Sequence, residues 1–377
     1  MQHVYPINDL KPWNLEGTTT DNVTTTAQTI SKINETPDDD LWVLVVLNDP
    51  SASTHFSTDK KLSELNTVGY SDMKSSTNGF FMTNAPLYKE SGATTLVKLK
   101  RNNIYTTQAE AQAATPIDIY VERGVAKVSV TTPAASQEIT MDSDKYIAAI
   151  KTWNLGITGK TSYLVRNVSK FGEWKDLTST HAEAKNGPRF YSSNRIYWAI
   201  DPNYDKNISK EETSSYFNLA EDVTLTADKA AYCLENTFDV AHQHQNQTTR
   251  VIFKAEFKKS GASQAETFYT IGSSSKIYDK AGMQTLVIAE SMKLFTDKND
   301  KNKYTFATNT SVTASAGEHS IEPGDVLYDG ASLTDNELDR LNKAIGTINT
   351  YKDGTCYYTV YIPVSYTHLT LPTNSLV

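Results

Sequence analysis

The stretch Thr355–Ile362 reads TCYYTVYI and alternates strictly along its length. Successive side chains of a β-strand point to opposite faces of a sheet, so a period of two residues predicts a strand. One face of this strand would carry its more apolar side chains, namely Cys356, Tyr358, Val360 and Ile362. Pro363 follows directly and cannot continue a hydrogen-bonded ladder, so we expect the strand to end there.

Strand-like runs of the same kind recur along the chain. They occupy residues 41–47, 80–82, 95–99, 117–130, 146–155, 163–168, 196–200, 251–257, 267–271 and 285–289. Turn-forming Ser, Thr, Asn and Asp separate them, and the 21 tyrosines suit pleated surfaces. The sequence therefore predicts an all-β protein.

A length of 377 residues is typical of two domains. The polar stretch Ser169–Pro188 has the composition of a junction, so we expect a boundary between residues 165 and 190. The predicted organisation is a polar arm or loop at 1–40, an N-terminal β-sandwich at 41–172, a C-terminal β-sandwich at 173–362 and a tail at 363–377.

Two segments carry the start signal of a helix. Thr107–Glu110 is spaced as a capping box ahead of an Ala-rich turn, and Thr334–Glu337 is a second capping box. Gly346 would end the second helix. Its apolar face would be formed by Leu338, Leu341 and Ile345.

The run 117–130 changes its inward face midway. Its apolar residues have odd numbers up to Val121 and even numbers from Ala126. Gly124 lies at the change, and an extra residue there would form a β-bulge that restores the register. The alternative is two separate strands joined by a turn at Gly124.

Charge and hydropathy argue against two classes of partner. The net charge is −8 and the basic residues are scattered, so no basic surface is predicted for nucleic acid. The longest apolar run, Leu41–Leu47, is far shorter than the roughly 20 residues of a membrane-spanning helix. It predicts one buried strand and no transmembrane span. No signal peptide follows Met1, which taken alone indicates a cytoplasmic protein.

The two cysteines, Cys233 and Cys356, lie in strand-like surroundings without the spacing of a metal site. One interpretation is a pair of buried small residues. The other is a single disulfide formed in an oxidising compartment. The bond requires Cα atoms within about 7 Å of each other.

Sequence motifs for catalysis are missing. The chain contains no GxSxG, GxGxxG, GxxxxGK[ST] or HExxH, and nothing singles out a carboxylate pair for glycoside hydrolysis. His242 and His244 lack a third metal ligand. Asp297–Asp300 predicts a solvated turn, because Asn302 replaces the glycine of a calcium loop. We therefore expect no catalytic residue, no cofactor, no metal and no enzymatic activity.

Six strings carry a resemblance to a known family. They are FMTNAP at 81–86, NIY at 103–105, IYVERGVAKV at 119–128, WAIDPNY at 198–204, YCLENT at 232–237 and CYYTVYI at 356–362. Together they resemble the fimbrillins of type V pili, specifically the major subunit of minor fimbriae and its relatives. The resemblance covers roughly residues 40–362.

The resemblance implies two tandem transthyretin-like β-sandwiches in a lipoprotein precursor that is exported to the outer membrane. In that family an Arg- or Lys-specific protease removes a leading strand, and the exposed groove accepts the C-terminal strand of the next subunit. Partners would be neighbouring fimbrial subunits, joined by β-strand addition, and adhesion targets on host or bacterial cells. The implied location is the cell-surface fimbrium.

The chain departs from the family at both ends. Neither a signal peptide nor a lipobox cysteine precedes residue 40, and the family's final strands do not follow Ile362. Residues 365–373, SYTHLTLPT, resemble translated sequencing-adapter sequence. We therefore expect 363–377 to be non-native and outside the core, the C-terminal domain to expose an unpaired edge, and the chain not to polymerise by itself.

Two other functions compete with the structural subunit. A secreted carbohydrate-binding β-sandwich would place aromatic side chains such as Trp153 and Trp174 on an exposed concave face. A hydrolase would hold two carboxylates with perturbed pKa values in one cleft. The fimbrial interpretation predicts instead that the tryptophans are in the core and that sheet edges form the contacts.

Overall fold

The computed structural model describes residues 11–12, 27–33, 40–49, 56, 61, 64, 69–70, 79–89, 92–131, 136–141, 144–170, 191–192, 195–196, 199–203, 208–209, 212–219, 222–237, 244–308 and 310–362. Within them the chain forms mostly β-strands in several small sheets, with few helices, which is consistent with the predicted all-β class.

The strands, numbered in chain order, are β1 Lys11–Pro12, β2 Ala27–Gln28, β3 Leu41–Val43, β4 Val46–Leu47, β5 Gly69–Tyr70, β6 Met82–Asn84, β7 Leu87–Lys89, β8 Gly92–Thr94, β9 Val97–Leu99, β10 Val121–Arg123, β11 Ala126–Ser129, β12 Gln137–Met141, β13 Asp144–Gly156, β14 Thr158–Gly159, β15 Ser162–Tyr163, β16 Tyr191–Ser192, β17 Arg195–Ile196, β18 Phe217–Asn218, β19 Ala230–Cys233, β20 Arg250–Lys259, β21 Phe268–Ile271, β22 Tyr304–Phe306, β23 Gly317–His319, β24 Val326–Tyr328, β25 Ala331–Ser332, β26 Ile348–Tyr351 and β27 Thr355–Tyr361. The α-helices are α1 Gln108–Ala113, α2 Thr213–Tyr216, α3 Lys280–Leu294, α4 Ser311–Ala314 and α5 Asp335–Ile345.

The main sheet contains the longest strands. Its order is β12-β13-β20-β27, and every neighbouring pair is antiparallel. The alternating patterns at 146–155, 251–257 and 355–362 all lie in this sheet, so these three strand predictions are confirmed. Trp153, Phe253 and Tyr358 lie opposite one another across β13, β20 and β27 and therefore share one face.

One β-bulge interrupts the main sheet. Ile150 pairs with Ala255 and Thr152 with Lys254, so Lys151 is the extra residue. The inserted residue reverses the parity of the strand, because side chains alternate with a period of two. The face that carries Ile150 before the bulge consequently carries Trp153 after it.

The predicted bulge at Gly124 is wrong. The run 117–130 forms two strands with different partners: β10 pairs with β6, and β11 pairs with β19. The main-chain N–H of Gly124 donates a hydrogen bond to the carbonyl of Phe81 at 3.0 Å. The inward face changes because the chain leaves one sheet and enters another, which is the alternative of two separate strands.

The predicted boundary at residue 172 does not divide the described chain. β13 precedes it and β20 follows it, yet ten residue pairs join these two strands. β11 and β19 pair across the same boundary. Most of the predicted junction, 171–188, lies outside the described residues. Local strand patterns do not reveal which strands pair, so the sequence could not exclude this arrangement.

The described residues form several separate hydrophobic clusters, and these do not divide at residue 172. All buried members of one cluster fall between Tyr269 and Ile348, in the chain that connects β20 to β27. Other clusters use residues from the main sheet, from segments before it and from the segment between β13 and β20, and one of them is formed by Phe81, Leu164, Val165 and Leu234. The core between Tyr269 and Ile348 is the second core. It is formed by the part of the chain that lies in sequence between β20 and β27, although these two strands pair directly with each other.

Both predicted capping boxes are confirmed. The Thr107 side chain accepts a hydrogen bond from the Glu110 N–H at the start of α1. Thr334 does the same with Glu337 at the start of α5, and Gly346 ends that helix. The predicted apolar face of α5 is buried in the second core, as Leu338, Leu341 and Ile345 show.

The predicted strand at 285–289 is wrong, because those residues lie inside α3. Met283, Val287 and Ser291 are buried at intervals of four residues, which is the spacing of one helix face. Asp279 caps the helix by accepting a hydrogen bond from the Gly282 N–H at 2.7 Å. A short apolar run alone does not distinguish a strand from a buried helix.

The apolar run Leu41–Leu47 forms two short strands rather than one. β3 pairs with β9, whereas β4 pairs with β6. The side chain of Asn84 occupies the break: it accepts a hydrogen bond from the Val45 N–H and donates to the carbonyl of Val43, each at 2.9 Å. A buried amide thus satisfies main-chain groups that a continuous strand would have paired.

The ends of the chain are described only in part. Within the predicted polar arm at 1–40, β1 pairs with β2. The predicted tail, 363–377, lies outside the described residues. No helix of the described chain is long and apolar enough to cross a membrane.

Thr334→Ala should lower the free energy of unfolding by about 1 kcal/mol, because the first turn of α5 loses its side-chain cap. Urea unfolding of the variant and the parent protein measures the difference. Ser332→Ala, at an exposed position in β25, is the control and should change little. An equal change in both variants would contradict the assigned role of the cap.

Candidate functional site

The free edge of the main sheet is the first candidate site. β27 pairs with β20 on one side, and no strand among the described residues pairs with its other side. Its seven residues include no charged side chain and no proline. Edge strands usually carry such features because they block unwanted pairing, so β27 is chemically open to another strand.

Exposed apolar side chains lie on both faces of β27. Tyr357 is 59% exposed on one face, and Tyr358 and Val360 are 52% and 53% exposed on the other. The Ile362 N–H donates to the carbonyl of Thr249 at 3.0 Å and fixes the end of the strand. An added strand would therefore find main-chain groups and side-chain contacts on a well-anchored edge.

A buried ionic cluster forms the second candidate site. The Arg166 guanidinium lies between two carboxylates, 2.6 Å from Glu122 and 2.8 Å from Glu235. These side chains are only 12%, 15% and 17% exposed. Burial works to lower the pKa of Arg166, but the charges of Glu235 and Glu122 outweigh it and leave that pKa above its usual value.

The ionic cluster joins four separate segments of the chain. Glu122 belongs to β10 and Arg166 to the turn after β15, while Glu235 follows β19. Glu235 also accepts hydrogen bonds from the Ala199 N–H and the Thr237 hydroxyl, each at 2.9 Å. The cluster thus ties these segments together beside the core that contains Phe81 and Leu234.

Asp201 lies next to this cluster and is only 1% exposed. Burial raises the pKa of Asp201 to about 7, against a hydrogen bond from the Asn203 main chain that lowers it, and the Glu235 carboxylate raises it further. The Asn203 N–H donates to Oδ1 at 2.6 Å. The side-chain amides of Asn203 and Asn236 are near enough to lower the pKa of Asp201, but none of them makes a hydrogen bond of normal geometry to Oδ2.

A cavity of about 10 Å³ borders the cluster and has room for about one water molecule. Thr83, Tyr163, Arg166 and Glu235 are among its lining residues. The Thr83 hydroxyl and Arg166 Nε are buried without a partner, so a water there would meet polar groups.

The predicted Cys233–Cys356 disulfide is not formed, since both thiols are free and buried. Cys233 packs in a cluster with Trp153 and Val251. Cys356 lies opposite Ala255 in the main sheet, and burial raises the pKa of its thiol to about 11. This arrangement corresponds to the interpretation as two buried small residues.

The candidate metal ligands considered in the sequence analysis do not form a metal site in the described residues. His244 is exposed at the start of a 3₁₀ turn, and His242 lies outside the described residues. Asp300 caps a turn by accepting from the Asn302 N–H at 3.0 Å. In the described segments no group of three or more His, Cys, Asp or Glu side chains is placed to hold a metal ion.

The sequence analysis did not single out the ionic cluster, although its strings contain most of it. Thr83, Glu122, Asp201 and Glu235 each lie in a different string that carries the family resemblance. The available signal was an isolated charge that follows apolar neighbours, as in Leu164-Val165-Arg166. Such a charge predicts a buried ion pair only if its partner is known, and the partners are distant in sequence.

A scan against protein-family models finds no match for this sequence, and a search of curated proteins finds none.

Proposed function

We propose that this chain is a structural subunit of a bacterial surface fimbria of the type V kind, which joins its neighbours by β-strand addition and supports adhesion. The observation that carries the proposal is the uncharged edge of β27, which no strand of the described chain covers. The resemblance of the six strings points to the same function.

Strand addition uses the chemistry that this edge offers. Main-chain N–H and C=O groups provide affinity, and alternating side chains fix the register. Exposed Tyr357 would contact an incoming strand on one face of the sheet, and exposed Tyr358 and Val360 would contact it on the other. The donor would be a strand of the neighbouring subunit.

The proposal includes export as a lipoprotein precursor and a location in the outer-membrane-associated fimbrium. It also includes transthyretin-like sandwich domains, a role without catalysis, and no cofactor. The cluster whose buried members all lie between Tyr269 and Ile348 is separate from the other clusters of the described chain and supports a two-part organisation.

The burial of Trp153 favours this function over a carbohydrate-binding module. Trp153 is 1% exposed, and its indole N–H donates to the Thr226 carbonyl at 3.0 Å. A sugar-binding face would require that ring at the surface; Trp174 lies outside the described residues. Asp201 has a raised pKa, as a hydrolase would need, but the cavity near it holds only about one water molecule.

Incorporation into filaments tests the proposal. The gold-labelled chain is mixed with an intact homologous fimbrillin and viewed by electron microscopy. We expect label on the filaments, and we expect Val360→Lys to reduce it at least tenfold, because lysine on an edge strand opposes pairing.

Leu219→Lys is the matched control, since Leu219 is also an exposed apolar residue, at 47%. It should leave incorporation unchanged. Unlabelled filaments, or equal labelling by the parent chain and Val360→Lys, would contradict the proposal.

A further inference from the structure

Three oxygen atoms converge on a space beside Gly159. A Cβ atom on Gly159 would lie 3.5 Å from the Glu235 carbonyl oxygen, 3.6 Å from Asp201 Oδ2 and 3.8 Å from the Thr161 carbonyl oxygen. All three are hydrogen-bond acceptors, or ligands for a hard cation. The glycine leaves this space open, because it has no side chain to fill it.

The Asp201 oxygen is the atom that requires an explanation. Its side chain is 1% exposed, and although the side-chain amides of Asn203 and Asn236 are near enough to lower its pKa, none of them makes a hydrogen bond of normal geometry to Oδ2. A buried carboxylate oxygen without a partner is costly, and two carbonyl oxygens lie within 3.8 Å of the same point. A positive charge in the space would compensate the carboxylate.

The surrounding charges favour a divalent ion. One guanidinium, that of Arg166, is close to the carboxylates of Glu122 and Glu235, and Asp201 lies beside Glu235. With Asp201 ionised, the cluster has a surplus of two negative charges. Buried charge is stable only when it is compensated, so a monovalent ion would leave one charge unpaired.

We propose that this space is a binding site for a calcium ion, held by Asp201 Oδ2 and the carbonyl oxygens of Thr161 and Glu235. Calcium takes oxygen ligands only and tolerates irregular geometry, whereas magnesium requires a near-ideal octahedron. The bound ion would tie the segment around Gly159 to the segments that contain Asp201 and Glu235.

Thermal unfolding and calorimetric titration of chelator-treated protein test the site. Calcium should raise the melting temperature of the parent chain in a saturable manner and bind with a one-to-one stoichiometry. Gly159→Ala places a methyl group in the space at ordinary contact distances and without backbone strain. Asp201→Asn removes the charge and keeps the shape. Each variant should weaken calcium binding at least tenfold.

Asp325→Asn is the matched control. Asp325 is also buried, at 6% exposed, but its Oδ2 accepts a hydrogen bond from the Glu322 N–H at 2.9 Å. This variant should respond to calcium as the parent chain does. The proposal is overturned if calcium does not stabilise the parent chain, if Gly159→Ala and Asp201→Asn respond as the parent does, or if sodium or potassium stabilises it and calcium does not.

Discussion

Arg166→Met should lower the free energy of unfolding by about 3–5 kcal/mol, because it leaves two buried carboxylates without their shared cation. Glu122 and Glu235 are 15% and 17% exposed, so water compensates them poorly. Urea unfolding at neutral pH measures the loss. The effect should be among the largest of any single substitution, since the cluster joins four segments of the chain.

Lys145→Met is the matched control for Arg166→Met. Lys145 pairs with Glu138 at 2.7 Å, but the two side chains are 62% and 49% exposed. Exposed ion pairs contribute about 0–1 kcal/mol, so this loss should be small. Adding Glu122→Gln and Glu235→Gln to Arg166→Met should restore part of the stability. A loss below about 1 kcal/mol for Arg166→Met would show that the cluster does not hold the fold together.

Asp201→Asn should raise the free energy of unfolding at about pH 8, measured in the presence of a chelator. Folding raises the pKa of Asp201 from 3.8 to about 7, mainly through burial. At about 1.4 kcal/mol per pKa unit, the parent chain loses about 4 kcal/mol on ionising this group. Asparagine resembles the neutral acid and avoids that loss.

The contribution of Asp201 to the free energy of unfolding changes with pH in a definite direction. A carboxyl group with a raised folded-state pKa contributes its full stability below the unfolded pKa of 3.8, and that contribution is lost as the pH rises through about 7. The gain in the free energy of unfolding from Asp201→Asn should therefore be smallest near pH 4 and largest above pH 7. Glu235 and Tyr163 are the titratable neighbours, and Arg166 is the nearby cation.

Asp228→Asn is the control for this pH profile, because Asp228 is exposed and its pKa is lowered by a Thr226 hydrogen bond and by Lys229. It should not raise stability above pH 7. A difference between Asp201→Asn and the parent that stays constant from pH 4 to 8 would refute the assigned titration.

Local features of the fold were predictable from the sequence. The strand β27 and the capping box of α5 depend on residues within one element, and both are confirmed. The pairing of β13 with β20 across the predicted boundary was not predictable, because it depends on contacts about 100 residues apart.

The position of the bulge illustrates the same limit. Parity changes at Gly124 and again between Ile150 and Trp153, but only the first change is visible in the sequence, because residues 146–150 are all apolar. Only the second is a bulge, at Lys151. A change of parity has the same appearance whether the strand gains a residue or the chain moves to a new sheet.

The candidate sites differ in how much of each could be predicted from the sequence. The β27 edge was expected in outline, because the family resemblance implies an unpaired strand in this part of the chain. The oxygen-lined space was not, since two of its three oxygens are main-chain atoms that any residue possesses. Only folding brings Thr161 and Glu235 together.

Hydrogen exchange of β27 tests the central claim most directly. The main-chain amides of Thr355–Tyr361 that face away from β20 should exchange rapidly in the isolated chain. In filaments formed with an intact fimbrillin these amides should become protected at least tenfold, while β13 in the interior of the sheet changes little. Unchanged exchange of β27 in labelled filaments would show that subunits join elsewhere and would contradict the account.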